Sequence, residues 1–197
     1  MQIAKRQLFN IKKEKSIILL HGLYTTAGFW LSYFNLFRDF RLIVYDINYD
    51  LLLKMQNAKT YLQEYLNECR EDENIVATIS HSFGTVVSDL AFENKQHGVF
   101  KICPVAFSKR LDTQSFILDI ENKTALSKEN IYEYMNLVSD FTSKFKEQIN
   151  YNGSIYIPDK DSFFSYEVPE NKKNEFKGDH FNIGLALSDI IAQLTNQ

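Results

Sequence analysis

The chain has little of what would place it in several large protein classes. Only two of its 197 residues are cysteine, Cys69 and Cys103. Both lie in segments that read as regular structure among apolar neighbours, so free buried thiols in a reducing compartment are expected rather than a disulfide framework. Neither sign of charge is in excess. The 22 Lys and Arg against 25 Asp and Glu leave a formal net charge of −3, which gives no basis for nucleic-acid binding or a basic membrane-facing surface. Long hydrophobic runs are missing as well. The basic start (Lys5, Arg6, Lys12, Lys13, Lys15) precedes only Ile17-Ile18-Leu19-Leu20 before His21-Gly22 interrupts. That is far short of the ~20 apolar residues of a membrane span, and no small-residue cleavage site follows. A soluble, cytoplasmic protein is expected, with no membrane or nucleic-acid partner. No His/Cys/Asp cluster has metal-ligand spacing and no dinucleotide fingerprint occurs, so neither metal nor cofactor is expected.

No repeats, low-complexity stretches or linkers divide the 197 residues, of which 45% are hydrophobic and 14% aromatic. One domain with a sizeable core is expected. Short apolar runs at 16–20, 41–45, 75–79, 99–105 and 154–157 read as buried strands, with a weaker candidate at 174–177. They are continuous rather than alternating, as parallel strands covered on both faces should be. Helical patterns at 29–37, 58–69, 83–94 and 181–194 lie between and after them. Such alternation predicts a doubly wound, mostly parallel α/β sheet with right-handed crossovers. Residues 111–150 interrupt it with about forty residues where one crossover helix would suffice. Their second half carries a helical stripe, Ile131, Tyr134, Met135, Val138, Phe141, Phe145 and Ile149, with Ser127 as a potential cap. This segment is either a lid insertion or a long crossover helix packed on the sheet.

The chemistry concentrates at Ser80-His81-Ser82-Phe83-Gly84, after the strand at 75–79 and at the start of a helix. A serine centred in small-x-Ser-x-small at a strand-to-helix junction has the form of a nucleophile elbow. The turn is sharp enough that residues two before and two after the serine must be small; Gly84 meets this fully and Ser80 in part. The bland alternative is that Ser82 merely caps the helix. Acyl transfer also needs a base, a group that orients the base, and oxyanion donors. His180, in Gly178-Asp179-His180-Phe181 after the last strand, is the candidate base. Asp161 is the preferred orienting acid, with Asp159 a rival and Glu167 a more distant one; turn-forming Pro158-Asp159 is the bland reading of that loop. Backbone amides of Leu23, in His21-Gly22-Leu23, and of Phe83 are the candidate oxyanion donors, Gly22 keeping the approach open. His21 is read as holding its loop, His81 and His97 as structural or solvent-facing. The chain has only seven glycines and four histidines, yet Gly22, Gly84, Gly178, His21, His81 and His180 all fall in these motifs.

On Leu20-His21-Gly22, Ser80-His81-Ser82-Phe83-Gly84, Asp161 and Gly178-Asp179-His180, in the chain order Ser, Asp, His, the sequence resembles the α/β-hydrolase superfamily over essentially its whole length. It departs at Ser80, which replaces the commoner Gly, at Pro158 before the acid, and in an N-terminus too short for a full pair of leading antiparallel strands. A narrower likeness rests on the compact size, Leu42-Ile43-Val44-Tyr45-Asp46, the Ser-Phe-Gly elbow and Thr124-Ala125-Leu126-Ser127-Lys128-Glu129-Asn130. In these the chain resembles the small pimeloyl-acyl-carrier-protein methyl ester esterases of biotin synthesis. The resemblance implies a serine esterase with Ser82, Asp161 and His180 as catalytic residues and an acyl ester as substrate, which the narrower likeness places on an acyl carrier protein. Lys109 and Arg110, at the start of the insertion, are candidate contacts for an acidic carrier or else an ordinary solvated pair. An acyl thioesterase, a general carboxylesterase or a non-catalytic binding protein on the same fold remain the alternatives.

Overall fold

A computed structural model describes residues 3–67, 74–92, 97–124 and 126–196. Its strands are β1 (Ala4–Phe9), β2 (Lys15–Leu20), β3 (Arg41–Ile47), β4 (Asn74–His81), β5 (Gly98–Ile102), β6 (Ser108–Arg110), β7 (Ser154–Pro158), β8 (Phe164–Tyr166) and β9 (Lys173–Phe176). Its helices are α1 (Tyr49–Leu53), α2 (Ala58–Asn67), α3 (Gly84–Ala91), α4 (Thr113–Lys123), α5 (Lys128–Lys144) and α6 (Gly184–Thr195), with a 3-10 segment over Ala27–Phe37. Seven strands form one sheet in the order β1-β3-β2-β4-β5-β7-β9, parallel throughout except where β1 pairs antiparallel with β3. β6 and β8 form a separate antiparallel ribbon.

The period of two explains the continuous apolar runs. In β2, Ile18 and Leu20 face one hydrophobic cluster while Ile17 and Leu19 face another; in β3, Ile43 and Tyr45 face the first and Leu42 and Val44 the second. The first cluster is closed by α2, α3 and the end of α5, through Leu62, Val86, Leu90 and Phe141. The second is closed by the 3-10 segment and α6, through Trp30, Leu187 and Ile190. The mostly parallel, doubly covered sheet is the predicted fold class.

Three local differences from the sequence reading have physical reasons. Segment 29–37, read as a helix, is 3-10 over Ala27–Phe37, and side chains off any single stripe (Phe29, Trp30, Tyr33, Phe34, Leu36 and Phe37) all reach the second cluster, a demand that the tighter winding accommodates. β1 escapes the apolar-run criterion because Ala4-Lys5-Arg6-Gln7-Leu8-Phe9 is an edge strand of mixed polarity. The stretch 99–105 stops being a strand at Ile102, since Cys103 turns into left-handed backbone with φ 52°. Cys103 is a free, buried thiol as expected; Cys69 and the ends of the helices expected at 58–69 and 83–94 lie outside the described residues.

Residues 111–150 form α4 and α5. Asp112 caps α4 by accepting from the amides of Gln114 and Ser115, and Ser127 accepts from the amide of Asn130 at the start of α5. The stripe along α5 serves two purposes. Phe141 and Phe145 pack into the core beneath the sheet. Ile131 and Met135 instead join Phe116, Ile117 and Ile120 of α4 and Phe164 of β8 in a third cluster at the strand ends. Among the described residues no helix is long and apolar enough to cross a membrane.

One buried ion pair ties the sheet to α3: Lys101 Nζ lies 2.6 Å from Asp89 Oδ1, both side chains excluded from solvent. Removing Asp89 strands a buried ammonium. Asp89→Ala is therefore expected to lower unfolding free energy by about 3–5 kcal/mol in urea titration, whereas Glu170→Ala, which breaks an exposed pair with Lys173, should cost less than about 1 kcal/mol. Similar losses for the two would contradict the buried pairing.

Candidate active site

Ser82 occupies the turn between β4 and α3 with φ 54°, left-handed backbone that a non-glycine residue adopts only when its surroundings hold it there. Its amide donates to Ile102 O at 2.9 Å. The surroundings leave no room for larger neighbours. A Cβ on Gly84 would come within 2.5 Å of His21 O and 2.7 Å of Leu20 O, so α3 can cross β2 this closely only over glycine. A Cβ on Gly22 would come within 2.7 Å of Ser82 Cβ. Ser80 is tolerated because it is buried on the sheet and its hydroxyl donates to Phe100 O at 3.2 Å.

The side chains singled out by sequence order converge on this turn. His180, in the loop between β9 and α6, places Nε2 3.1 Å from Ser82 Oγ and Nδ1 3.1 Å from Asp161 Oδ2. A carboxylate only accepts, so Nδ1 carries the ring proton and Nε2 is left bare to receive the Ser82 hydroxyl hydrogen. Asp161 follows β7, and its Oδ1 takes the amides of Phe163 and Phe164 at 2.9 and 3.0 Å. Burial pushes the Asp161 carboxyl up, but hydrogen bonds from His180 and Tyr166 together with the His180 charge outweigh it and hold the group below its ordinary value. The rival acids lie elsewhere. Asp159 accepts from the Gly178 amide at 3.0 Å and so fixes the loop that carries His180. Glu167 pairs with Lys109 on the surface.

The other histidines are supports. His81 Nε2 donates to the His180 carbonyl at 2.7 Å while its ring stacks on Phe29, and burial pushes it down to about 3, so it stays neutral. It is fully buried, not solvent-facing. His21 accepts the Ile47 amide on Nε2 at 2.9 Å, which puts its proton on Nδ1, donated to Gly22 O at 2.8 Å. Burial lowers its pKa, so the Gly22-Leu23 loop is pinned by a neutral imidazole. His97 pairs with Thr78 at 2.8 Å.

A cavity of about 290 Å³ opens over Ser82 and His180. Leu23 lines it beside the serine, while Phe83 sends its ring into the core between Tyr49 and Phe141. Phe116 and Ile120 of α4 and Met135 of α5 form its roof. Arg110 lies at this cavity with its guanidinium 5.3 Å from the centre of the Phe116 ring, whereas Lys109 points to solvent. Tyr24, also lining the cavity, is pushed up to about 12 by burial, an effect that Arg110 moderates. Sequence reading passed over Tyr166, whose hydroxyl lies 2.6 Å from Asp161 Oδ2 and 3.0 Å from His180 Nδ1. The alternation Phe164-Ser165-Tyr166 was its available signal, the period of a short strand beside the acid.

No protein-family model matches the sequence, and no curated protein matches it. Solved structures do match. The chain superposes on the haloalkane dehalogenase DbeA of Bradyrhizobium elkani with a TM-score of 0.62 at 12% identity, over 98% of this chain and 95% of the other. It superposes on the NocB thioesterase domain, solved in covalent complex with a fluorophosphonate nocardicin G analogue, with a TM-score of 0.63 at 12% identity over 98% and 100%. A carboxylesterase of the thaumarchaeon Nitrososphaera gargenis gives 0.56 at 14% identity over 98% and 95%.

The chain has the α/β-hydrolase fold. Identities this low carry the fold and leave the activity to the site itself. Within that fold the Ser82 turn is the strand-to-helix junction after β4, and β1 is its one leading antiparallel strand.

Gly84→Ala tests the close approach on which the turn depends. The added methyl meets two backbone carbonyls that cannot swing aside, so a loss of about 3 kcal/mol or failure to fold is expected. An unchanged thermal midpoint would show that α3 does not lie so near β2.

Proposed function

We propose that the chain is a serine hydrolase that cleaves a carboxylic ester through an acyl-enzyme. The observation that carries this reading is the unbroken chain of hydrogen bonds from Ser82 Oγ through the His180 ring to Asp161. His180 Nε2 takes the serine proton as Oγ attacks the carbonyl carbon and then returns it to the departing alkoxide. In the second half-reaction the same nitrogen draws a proton from water as the water oxygen attacks the acyl carbon, then passes that proton to Ser82 Oγ as the acyl–oxygen bond breaks, which releases the acid and restores the serine. Asp161 keeps the imidazole in the Nδ1–H form and stabilises the imidazolium. The amides of Leu23 and Phe83 receive the oxyanion, and Gly22 leaves them unobstructed. Residues 111–150 act as the lid, their apolar side chains covering the acyl group.

The cavity, mostly apolar and at the small end of the range for ligand pockets, suits an acyl group of modest length. A methyl ester of pimeloyl-acyl-carrier protein is the specific substrate we favour, with Arg110 at the cavity and Lys109 beside it facing the acidic carrier. The thioesterase reading uses the same residues and is favoured by the likeness to NocB and to the thioesterase domain that cyclises surfactin.

Fluorophosphonate should label the wild-type protein and not Ser82→Ala; a folded protein left unlabelled would sink the reading. Asp161→Asn is expected to lower kcat by about 10⁴-fold, while Asp159→Asn, which touches only the loop, should lower it less than about tenfold. The reverse order would reassign the acid. For the substrate, a carrier-bound methyl ester should be cleaved far faster than the same ester free in solution. Arg110→Ala should raise KM for the carried ester alone; equal effects on both esters would remove the carrier from the proposal.

A further inference from the structure

The acid of the site receives two donors on one oxygen. Asp161 Oδ1 is occupied by the amides of Phe163 and Phe164, so the remaining oxygen, Oδ2, takes both the Tyr166 hydroxyl at 2.6 Å and His180 Nδ1 at 3.1 Å. Tyr166 Oη also lies 3.0 Å from His180 Nδ1. A phenol has one proton and two lone pairs. The shorter, charge-assisted contact with the carboxylate claims the proton. Toward the imidazole, Oη then presents only lone pairs.

We propose that Tyr166 is a positioning residue that fixes the working tautomer of His180: with its proton committed to Asp161, its oxygen can only accept from Nδ1. The proton on Nδ1 is thereby shared between Asp161 Oδ2 and Tyr166 Oη, and the Nε2–H form, useless for accepting from Ser82, loses both partners at the other nitrogen. The ribbon supplies the placement. β8 holds Tyr166 in register opposite Ser108 of β6, and the Leu111 amide donates to Phe163 O at 2.8 Å. The strand leading into the lid is therefore stitched to the loop that carries the acid. Burial and the neighbouring Asp161 and Cys103 groups raise the Tyr166 pKa, so the phenol remains protonated through the whole working range.

This inference rests on the hydrolase reading for its kinetic test, but part of that test is independent of turnover. Tyr166→Phe removes the hydroxyl and keeps the ring. The titratable groups around the imidazole, Asp161, His81, Cys103, Asp179 and Arg110, stay in place. On a short ester kcat should fall about tenfold with KM unchanged. The acidic limb of the kcat/KM profile should move to higher pH, because an Asp161 carboxylate relieved of the phenol holds the imidazolium harder. In an Asp161→Asn background the same replacement should change the rate less than about twofold, since the two residues act as a unit. Equal losses in both backgrounds, a loss confined to KM, or an unmoved acidic limb would each overturn the role.

Nitrogen-15 spectra of the unsubstituted protein give a reading that needs neither activity nor a folded variant. They should show His180 as the Nδ1–H tautomer with its proton in through-space contact with Tyr166; an Nε2–H ring, or no such contact, overturns the proposal. If wild-type protein is not labelled by fluorophosphonate but shows this tautomer and contact, the hydrolase reading fails and the positioning geometry stands.

Discussion

The left-handed turn at Ser82 is the constraint from which the rest of the site follows. A serine at φ 54° lies in the sparsely populated left-handed region, and it persists there because the contacts around it over-determine it. Strand β5 fixes the Ser82 amide through Ile102 O, and α3 is drawn against β2 at a distance only Gly84 permits. Gly22 lets the loop after β2 pass against the serine itself. At both glycines a single added methyl group would collide, at Gly84 with backbone carbonyls and at Gly22 with the Ser82 side chain.

Around that turn, burial sets the protonation states. His21 and His81 are enclosed so completely that the neutral ring is favoured, and both are used as rigid hydrogen-bonding struts. His81 grips the backbone of His180, and His21 grips the loop that carries Leu23. The loops that carry His180 and Leu23 are thus held by imidazoles that burial keeps neutral. Asp161 keeps its charge despite burial because four donors, two amides, the imidazole and the Tyr166 phenol, point at its oxygens.

The alternation of apolar runs with helical stripes made the sheet legible, because strands covered on both faces cannot hide their composition. β1, with one lysine, one arginine and one glutamine in six residues, carried no such signature. The 3-10 segment reads as a helix in sequence because apolar residues fall at both three- and four-residue spacings along it, Phe29, Trp30, Tyr33, Phe34 and Phe37 among them. In the site, Ser82 and His180 announced themselves through small-residue motifs dictated by the turn. Asp161 is preferred over Asp159 in the sequence only by its place after the strand, because a loop's hydrogen bonds depend on what lies opposite it. Here Gly178 took one carboxylate and His180 the other. The single stripe along α5 meets two different clusters along its length, one against the sheet and one with α4 and β8, a division that its periodicity does not reveal.

The alternation of apolar runs and helical patterns already determined the fold class, and the small-residue motifs singled out Ser82 and His180, which meet at 3.1 Å, since tight turns restrict residue type wherever they occur. What tertiary structure alone decided was which acid faces the imidazole, which histidines are buried struts, and that a tyrosine beyond the acid joins them. Those outcomes depend on distances of about three ångströms between residues remote in sequence, set by the register of β7, β8 and β9, and no local pattern encodes a register between strands that meet only in the folded protein.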